Sequence, residues 1–174
     1  AFTFDEIREV EKTIISKDGI PSLILMENAG KNAFDLIVSL MPDIEDHSIY
    51  IFCGRGNNAG DGYVIARHFL INSIPVSLIN IAGTNNFKGD ALTNYYLLNN
   101  LSPHMLFAES INEDNYQILF RDIKKQKGKI LIIDALLGSG IKGEVTGMFS
   151  NVIDEINALS SRNKKVTVIS VDVP

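Results

Sequence analysis

From Ser48 onward, short apolar runs rich in β-branched residues alternate with amphipathic stretches at helical spacing, and this alternation restricts the possible folds more than any other feature. Strands are predicted at Ser48–Cys53, Val76–Ile81, His104–Ala108, Lys129–Asp134 and Val166–Asp172. Helices are predicted from Tyr63 to about Asn72, over Asp90–Asn99, over Asn112–Lys127 and over Val145–Leu159. Alternating β and α units imply a parallel sheet with helices on both faces, a three-layer α/β/α sandwich. Right-handed crossovers leave few strand orders, and 3-2-1-4-5 is expected. Two helices precede the first strand. Thr3-Phe4-Asp5-Glu6 reads as a capping box, Ile7, Val10 and Ile14 follow at helical spacing, and Gly19-Ile20-Pro21 breaks the pattern before Ser22 caps a helix running to Leu40.

Between the first strand and the helix after it lies Cys53-Gly54-Arg55-Gly56-Asn57-Asn58-Ala59-Gly60-Asp61-Gly62. A glycine-rich stretch at the carboxyl end of a strand, feeding a helix N-terminus, favours anionic ligands. Gly54-x-Gly56-x-x-Ala59 has dinucleotide-binding spacing, which is weak evidence alone. The second strand ends in Asn80 rather than the acid that would hold an adenosine ribose, which counts against an ordinary dehydrogenase. Asp61 is unexpected in a phosphate cradle: it either caps the helix or meets ligand hydroxyls or a cation.

In such sheets ligands bind outside the carboxyl ends of the strands, near the switch point. That rule gathers Asp61, Asp134 and Asp172 at one edge, favouring a polar site. Gly138-Ser139-Gly140-Ile141-Lys142-Gly143-Glu144 follows the fourth strand as a second amide-rich loop, with Lys142 either facing phosphate or in water. Glu27 and Asn28, in the second helix, face either a ligand or solvent; spacing does not choose between them. His47, His68 and His104 lack metal-ligand spacing.

The 174 residues suit one domain, 1–174, and 45% hydrophobic content supplies its core. A net charge of -5 gives no general attraction to nucleic acid, and no apolar stretch is long enough to span a bilayer. Cys53 is the single cysteine, so no intrachain disulfide forms; a buried, inert thiol in a reducing, cytoplasmic setting is expected. A targeting segment upstream of Ala1 would not be visible, and the chain is expected to lack its C-terminal portion.

Taken together, Leu25-Met26-Glu27-Asn28-Ala29-Gly30, Gly56 to Gly62, Gly89-Asp90-Ala91, Asp134-Ala135-Leu136-Leu137-Gly138-Ser139-Gly140 and Asp172-Val173-Pro174 resemble the NAD(P)H-hydrate epimerase family, the YjeF N-terminal domain. The resemblance covers nearly the whole chain in matching order, with Ala59 where that family often has glycine. It implies a Rossmann-like isomerase that interconverts the R and S forms of hydrated NADH or NADPH, a nicotinamide nucleotide repair reaction completed by a companion dehydratase. It further implies that Asn57, Asn58, Ala59, Gly60 and Asp61, the loop Gly138, Ser139, Gly140, Ile141, Lys142, Gly143 and Glu144, and Asp172 contact the hydrated nucleotide. A potassium ion would be held by Asn58 and Asp134 with a serine beyond Pro174. In the hydrate the inverted carbon bears a hydroxyl and is bonded to the ring nitrogen, so inversion needs a group that donates and then accepts a proton. Asp172 is assigned that role.

Competing readings are an NAD(P)-dependent oxidoreductase, disfavoured by Asn80, and a non-catalytic nucleotide-binding or dimerisation scaffold of the same domain type. The latter resembles the domain in an enhancer of mRNA decapping or the secreted apolipoprotein-A-I-binding member. The scaffold predicts erosion of the polar site, yet Asp61, Asp134 and Asp172 are all present. The two leading helices either pair with a second copy, making a homodimer, or cover one sheet face.

Overall fold

The structure, a computed structural model, describes residues 3–82, 87–101, 115–141 and 143–172, the side chains of residues 4 and 5 excepted. The expected third strand, over 104–108, and residue 142 lie outside these. The described elements are α1 (Phe4–Lys17), α2 (Ser22–Leu40), β1 (His47–Cys53), α3 (Gly56–Ile71), β2 (Val76–Asn80), α4 (Gly89–Leu101), α5 (Tyr116–Lys124), β3 (Lys129–Ala135), α6 (Met148–Arg162) and β4 (Val166–Ser170).

The four strands form one sheet in the order β2-β1-β3-β4, every pair parallel. This is the predicted order for the strands described. Because side chains alternate along a strand, Ile49, Ile51 and Cys53 of β1 enter a core shared with α2, α3 and α4. Tyr50 and Phe52 enter the opposite one, beneath α5 and α6. Strands buried on both faces need continuous apolar runs, and β3 supplies Ile130, Leu131, Ile132 and Ile133, all inaccessible to solvent. The chain leaves β1 in one direction for β2 and later crosses to the other side for β3 and β4. With right-handed crossovers, this places α3 and α6 on opposite faces and opens a crevice between the carboxyl ends of β1 and β3.

Thr3 caps α1 as predicted, with Glu6 reaching back to the Thr3 amide at 2.7 Å. Two local expectations are corrected. Ser22 is the first residue of α2, not its cap; Pro21 holds the cap position with its fixed φ and no side-chain bond. The glycine-rich stretch is mostly helix, since α3 begins at Gly56 and only Gly54 and Arg55 form the connection. Packing overrides the low helix propensity of glycine there. A Cβ on Gly62 would lie 2.7 Å from Cys53 Sγ and 2.8 Å from Ala135 Cβ, and one on Gly60 would lie 2.5 Å from Met26 Sδ. These glycines let α3 lie flat on the sheet and let α2 lie on α3. Glu27 pairs with Arg67 and with His68 Nε2 at 2.9 Å, tying α2 to α3.

Candidate active site

The site forms where β1, β3 and β4 end. Gly54 donates its N–H to Ala135 O at 3.1 Å, bringing the two strand exits so close that a Cβ on Gly54 would sit 1.8 Å from Leu136 O. Arg55 follows in extended conformation and Gly56 takes φ +72°, turning the chain into α3. The first turn of α3 has neither a side-chain cap nor an acidic residue. Its N–H groups therefore point outward at the positive end of the helix dipole.

Asn58 is buried and spans to the β3 exit, where Nδ2 donates to Leu137 O at 2.7 Å. Its Oδ1 is buried without a hydrogen-bond partner among the described residues. Asp134, at the end of β3, accepts from the Leu136 N–H at 3.0 Å, and burial raises its carboxyl above the usual range. The β4 exit is tied alongside by the Val171 N–H donating to Asp134 O at 2.9 Å. Asp172 follows in the left-handed region at φ +74°, a conformation aspartate tolerates better than most residues. Its Oδ2 accepts the Ser139 N–H at 2.7 Å. Gly138 lies at the meeting point: a Cβ there would be 2.6 Å from Asp172 Oδ2 and 3.3 Å from Asn58 Cβ.

Around this junction opens a cleft of about 830 Å³. Of the predicted site residues, Asn57, Asn58, Asp61, Gly138, Ser139, Gly140, Ile141, Glu144 and Asp172 line it. Ala59 and Gly60 do not, being buried within α3 against its neighbours, and Gly143 and Asp134 also lie off the cleft wall. Asp61 projects from the second turn of α3. Burial first, then the negative charges of Asp172 and Glu11, push its carboxyl up to about 7. A cleft holding one such acid beside a second, solvent-facing aspartate has the groups that proton transfer near neutral pH requires.

Several cleft residues were not predicted. Ile7, Arg8 and Glu11 come from α1, and Arg8 Nη2 donates to Ser139 O at 3.0 Å and to Ser139 Oγ at 3.2 Å. Their spacing shows a common helix face but not what that face meets. Arg55 and Phe149 form another part of the wall, the guanidinium lying 5.5 Å over the ring centroid. The buried Cys53 thiol, raised well above its ordinary value by burial and by Asp134, fits the inert assignment. Asn80 is also fully buried, accepting from Tyr63 OH at 2.9 Å. Among the described residues no helix is long and apolar enough to cross a membrane.

A family model described as "YjeF-related protein N-terminus" matches residues 22–174. The chain is 38% identical over 163 residues to a bifunctional NAD(P)H-hydrate repair enzyme Nnr of Methanocaldococcus jannaschii, covering 89% of this chain and 30% of that protein. It is 31% identical to an NAD(P)H-hydrate epimerase of Rhodopirellula baltica over 99% of this chain and 64% of the other. It is 30% identical to one of Lentilactobacillus buchneri over 100% of this chain and 72% of the other. The chain thus spans less than two thirds of the length of the first two relatives. A yeast protein of known crystal structure, ynu0, superposes with a TM-score of 0.74 at 22% identity, over 97% of this chain and 68% of that one, which shows the shared fold. With the matched segment beginning at the first residue of α2 and taking in all four described strands and the cleft residues they and their helices supply, α1 excepted, the chain belongs to the YjeF-related protein N-terminus family.

Proposed function

We propose that this domain is an NAD(P)H-hydrate epimerase, an isomerase acting on the R and S forms of hydrated NADH and NADPH. The observation that carries it is the meeting of Asp61 and Asp172 at one cleft, beside the uncapped N-terminus of α3, in a chain of this family. Protonation of the hydroxyl on the hydrated ring carbon lets it leave as water, the ring nitrogen supplying the electron pair. Addition of water to the opposite face, with loss of a proton, gives the other epimer. In this reading Asp172 donates and then accepts this proton, and the Ser139 N–H donating to its Oδ2 supports the role by orienting the carboxyl. Asp61, protonated up to about pH 7, faces the substrate's hydroxyls as a donor. The cleft loops from Asn57 and from Gly138 hold the nucleotide.

A potassium ion fits the donors present. Asn58 Oδ1, without a hydrogen-bond partner among the described residues, and the half-buried Asp134 carboxylate are hard oxygen ligands, joined through the same short connection after β3. Bound there, the ion would offset the acidity of a site that must accept phosphates. Relatives that fuse two activities under the name bifunctional NAD(P)H-hydrate repair enzyme support a functional link to a dehydratase. A homodimer is supported by apolar side chains left open on α2, Leu36 at 58% and Leu40 at 67% exposure. A reducing, cytoplasmic setting is supported by the lone buried thiol. A non-catalytic scaffold would not need the carboxyl pair, and an ordinary dehydrogenase would not bury Asn80 against Tyr63.

The test is epimerisation of purified R-form NADPH hydrate, followed by chiral-sensitive chromatography with and without potassium. Turnover above the spontaneous rate is expected, with Asp172→Ala losing most of it while retaining the melting transition. Near-normal turnover by that variant would remove Asp172 from the mechanism, and an inert wild type that melts cooperatively would favour the scaffold.

A further inference from the structure

The substrate of the proposed reaction carries phosphate groups, yet Glu11, Asp61, Glu144 and Asp172 all line the cleft that would take it. Positive charge must face those phosphates for binding to occur. Two described arginines, Arg8 and Arg55, line the same cleft, and their situations differ. Arg8 is committed, since its Nη2 already bonds both Ser139 O and Ser139 Oγ and thereby fixes α1 to the loop. Arg55 makes no hydrogen bond or ion pair with any described residue. Its guanidinium rests 5.5 Å over the Phe149 ring.

We propose that Arg55, presented by the Phe149 ring, is the phosphate-recognising residue of the cleft. A guanidinium held over an aromatic ring by cation–π attraction spends no N–H group on a hydrogen bond there, and its planar fork can bond two phosphate oxygens at once. The ring contact also limits the rotamers that would otherwise be lost on binding. The adjoining backbone suits the same ligand: a Cβ on Gly56 would meet nothing within 4 Å, so a phosphate can reach the chain there. The acid-free first turn of α3 adds its N–H groups to the pull of Arg55. None of this was legible from spacing, because Arg55 falls between the glycines and Phe149 is 94 residues further on, at the start of α6. The proposal rests on the nucleotide reading of the cleft but not on turnover.

It is tested by calorimetric titration of ADP-ribose, 2′-phospho-ADP-ribose and adenosine into the wild type, Arg55→Ala, Arg55→Lys and Phe149→Leu, with thermal melts confirming that each variant folds. A charge-assisted hydrogen bond to phosphate corresponds to roughly a tenfold or greater change in affinity. Arg55→Ala should therefore lose about tenfold or more for ADP-ribose and be unchanged for adenosine. Arg55→Lys should fall between, and Phe149→Leu should lose a smaller factor. A loss shared by both phosphate ligands assigns Arg55 to the diphosphate, and one confined to the 2′-phosphate compound assigns it to the ribose phosphate. Equal affinities for wild type and Arg55→Ala with both ligands overturn the proposal, as does a wild type that binds neither at millimolar concentration. Binding that depends on Arg55 in a chain without turnover would sink the epimerase reading alone, whereas an active chain indifferent to Arg55→Ala would sink this one alone.

Discussion

Asp61 and Asp172 show how two aspartates in one cleft acquire different surroundings. Asp172 sits at an exposed strand exit, anchored by the Ser139 amide, whereas Asp61 is largely withdrawn into the first turns of α3 and meets negative charge from Asp172 and Glu11. The folded protein therefore keeps the Asp61 proton to about pH 7. The unfolded chain releases it near pH 4, as a free aspartate does. Between these values the folded state binds the extra proton, so stability contributed by this group falls as pH rises, and the full penalty persists above pH 7. Asp61→Asn removes the charge at nearly constant volume. The variant should be more stable than wild type at pH 8 by about 1–3 kcal/mol, after allowance for screening by solvent, and the two should converge near pH 4. Urea unfolding at pH 4, 6 and 8 measures this directly; a pH-independent difference would mean that Asp61 carries no such strain.

The helix α3 is the element on which the site depends, and its glycines divide between two jobs. Gly56 is set by its positive φ at the turn into the helix, while Gly62 is set by space, wedged between Cys53 of β1 and Ala135 of β3. Those two neighbours are short side chains on sheet backbone and cannot swing aside. Gly62→Ala would gain about 1 kcal/mol of helix propensity but incur overpacking of about 1–3 kcal/mol, and contacts below 3 Å place it at the upper end. The expected net loss of ~1–2 kcal/mol corresponds to a melting temperature lower by several degrees in a chain of this size. Gly140→Ala is the control, because nothing lies within 4 Å of a Cβ there and its φ is ordinary, so its melting temperature should match wild type. Equal melting for both variants would show that α3 can lift from the sheet without cost, and that packing does not explain the glycine at position 62.

At the scale of the whole molecule, the layers were legible because a parallel sheet covered on both faces needs uninterrupted apolar runs, and β1 and β3 are such runs. The edge at which Asp134 and Asp172 emerge follows from strand direction alone. Two kinds of feature were not legible. The helical state of Asn57 to Gly62 depends on β1, β3 and α2 lying against it, which local propensity opposes, and the docking of α1 over the cleft depends on one arginine meeting a loop 131 residues away. The proposed ion site belongs to the same class, for Asn58 and Asp134 are joined only by the fold: the Asn58 amide reaches Leu137 O, and Asp134 holds the Leu136 N–H beside it. An ion bound by both would tie α3 to the β3 exit and stabilise the folded chain by mass action, about 1.4 kcal/mol when free potassium is tenfold above its dissociation constant. Melting in potassium chloride should then exceed melting in choline chloride of equal ionic strength by a few degrees, independently of turnover. Asp134→Asn should abolish the difference while leaving a cooperative transition, since a neutral amide keeps an oxygen for the Leu136 N–H but loses the charge that holds the ion. A potassium increment that survives in Asp134→Asn would place the ion elsewhere, and no increment in wild type would separate the acidic junction from ion binding altogether.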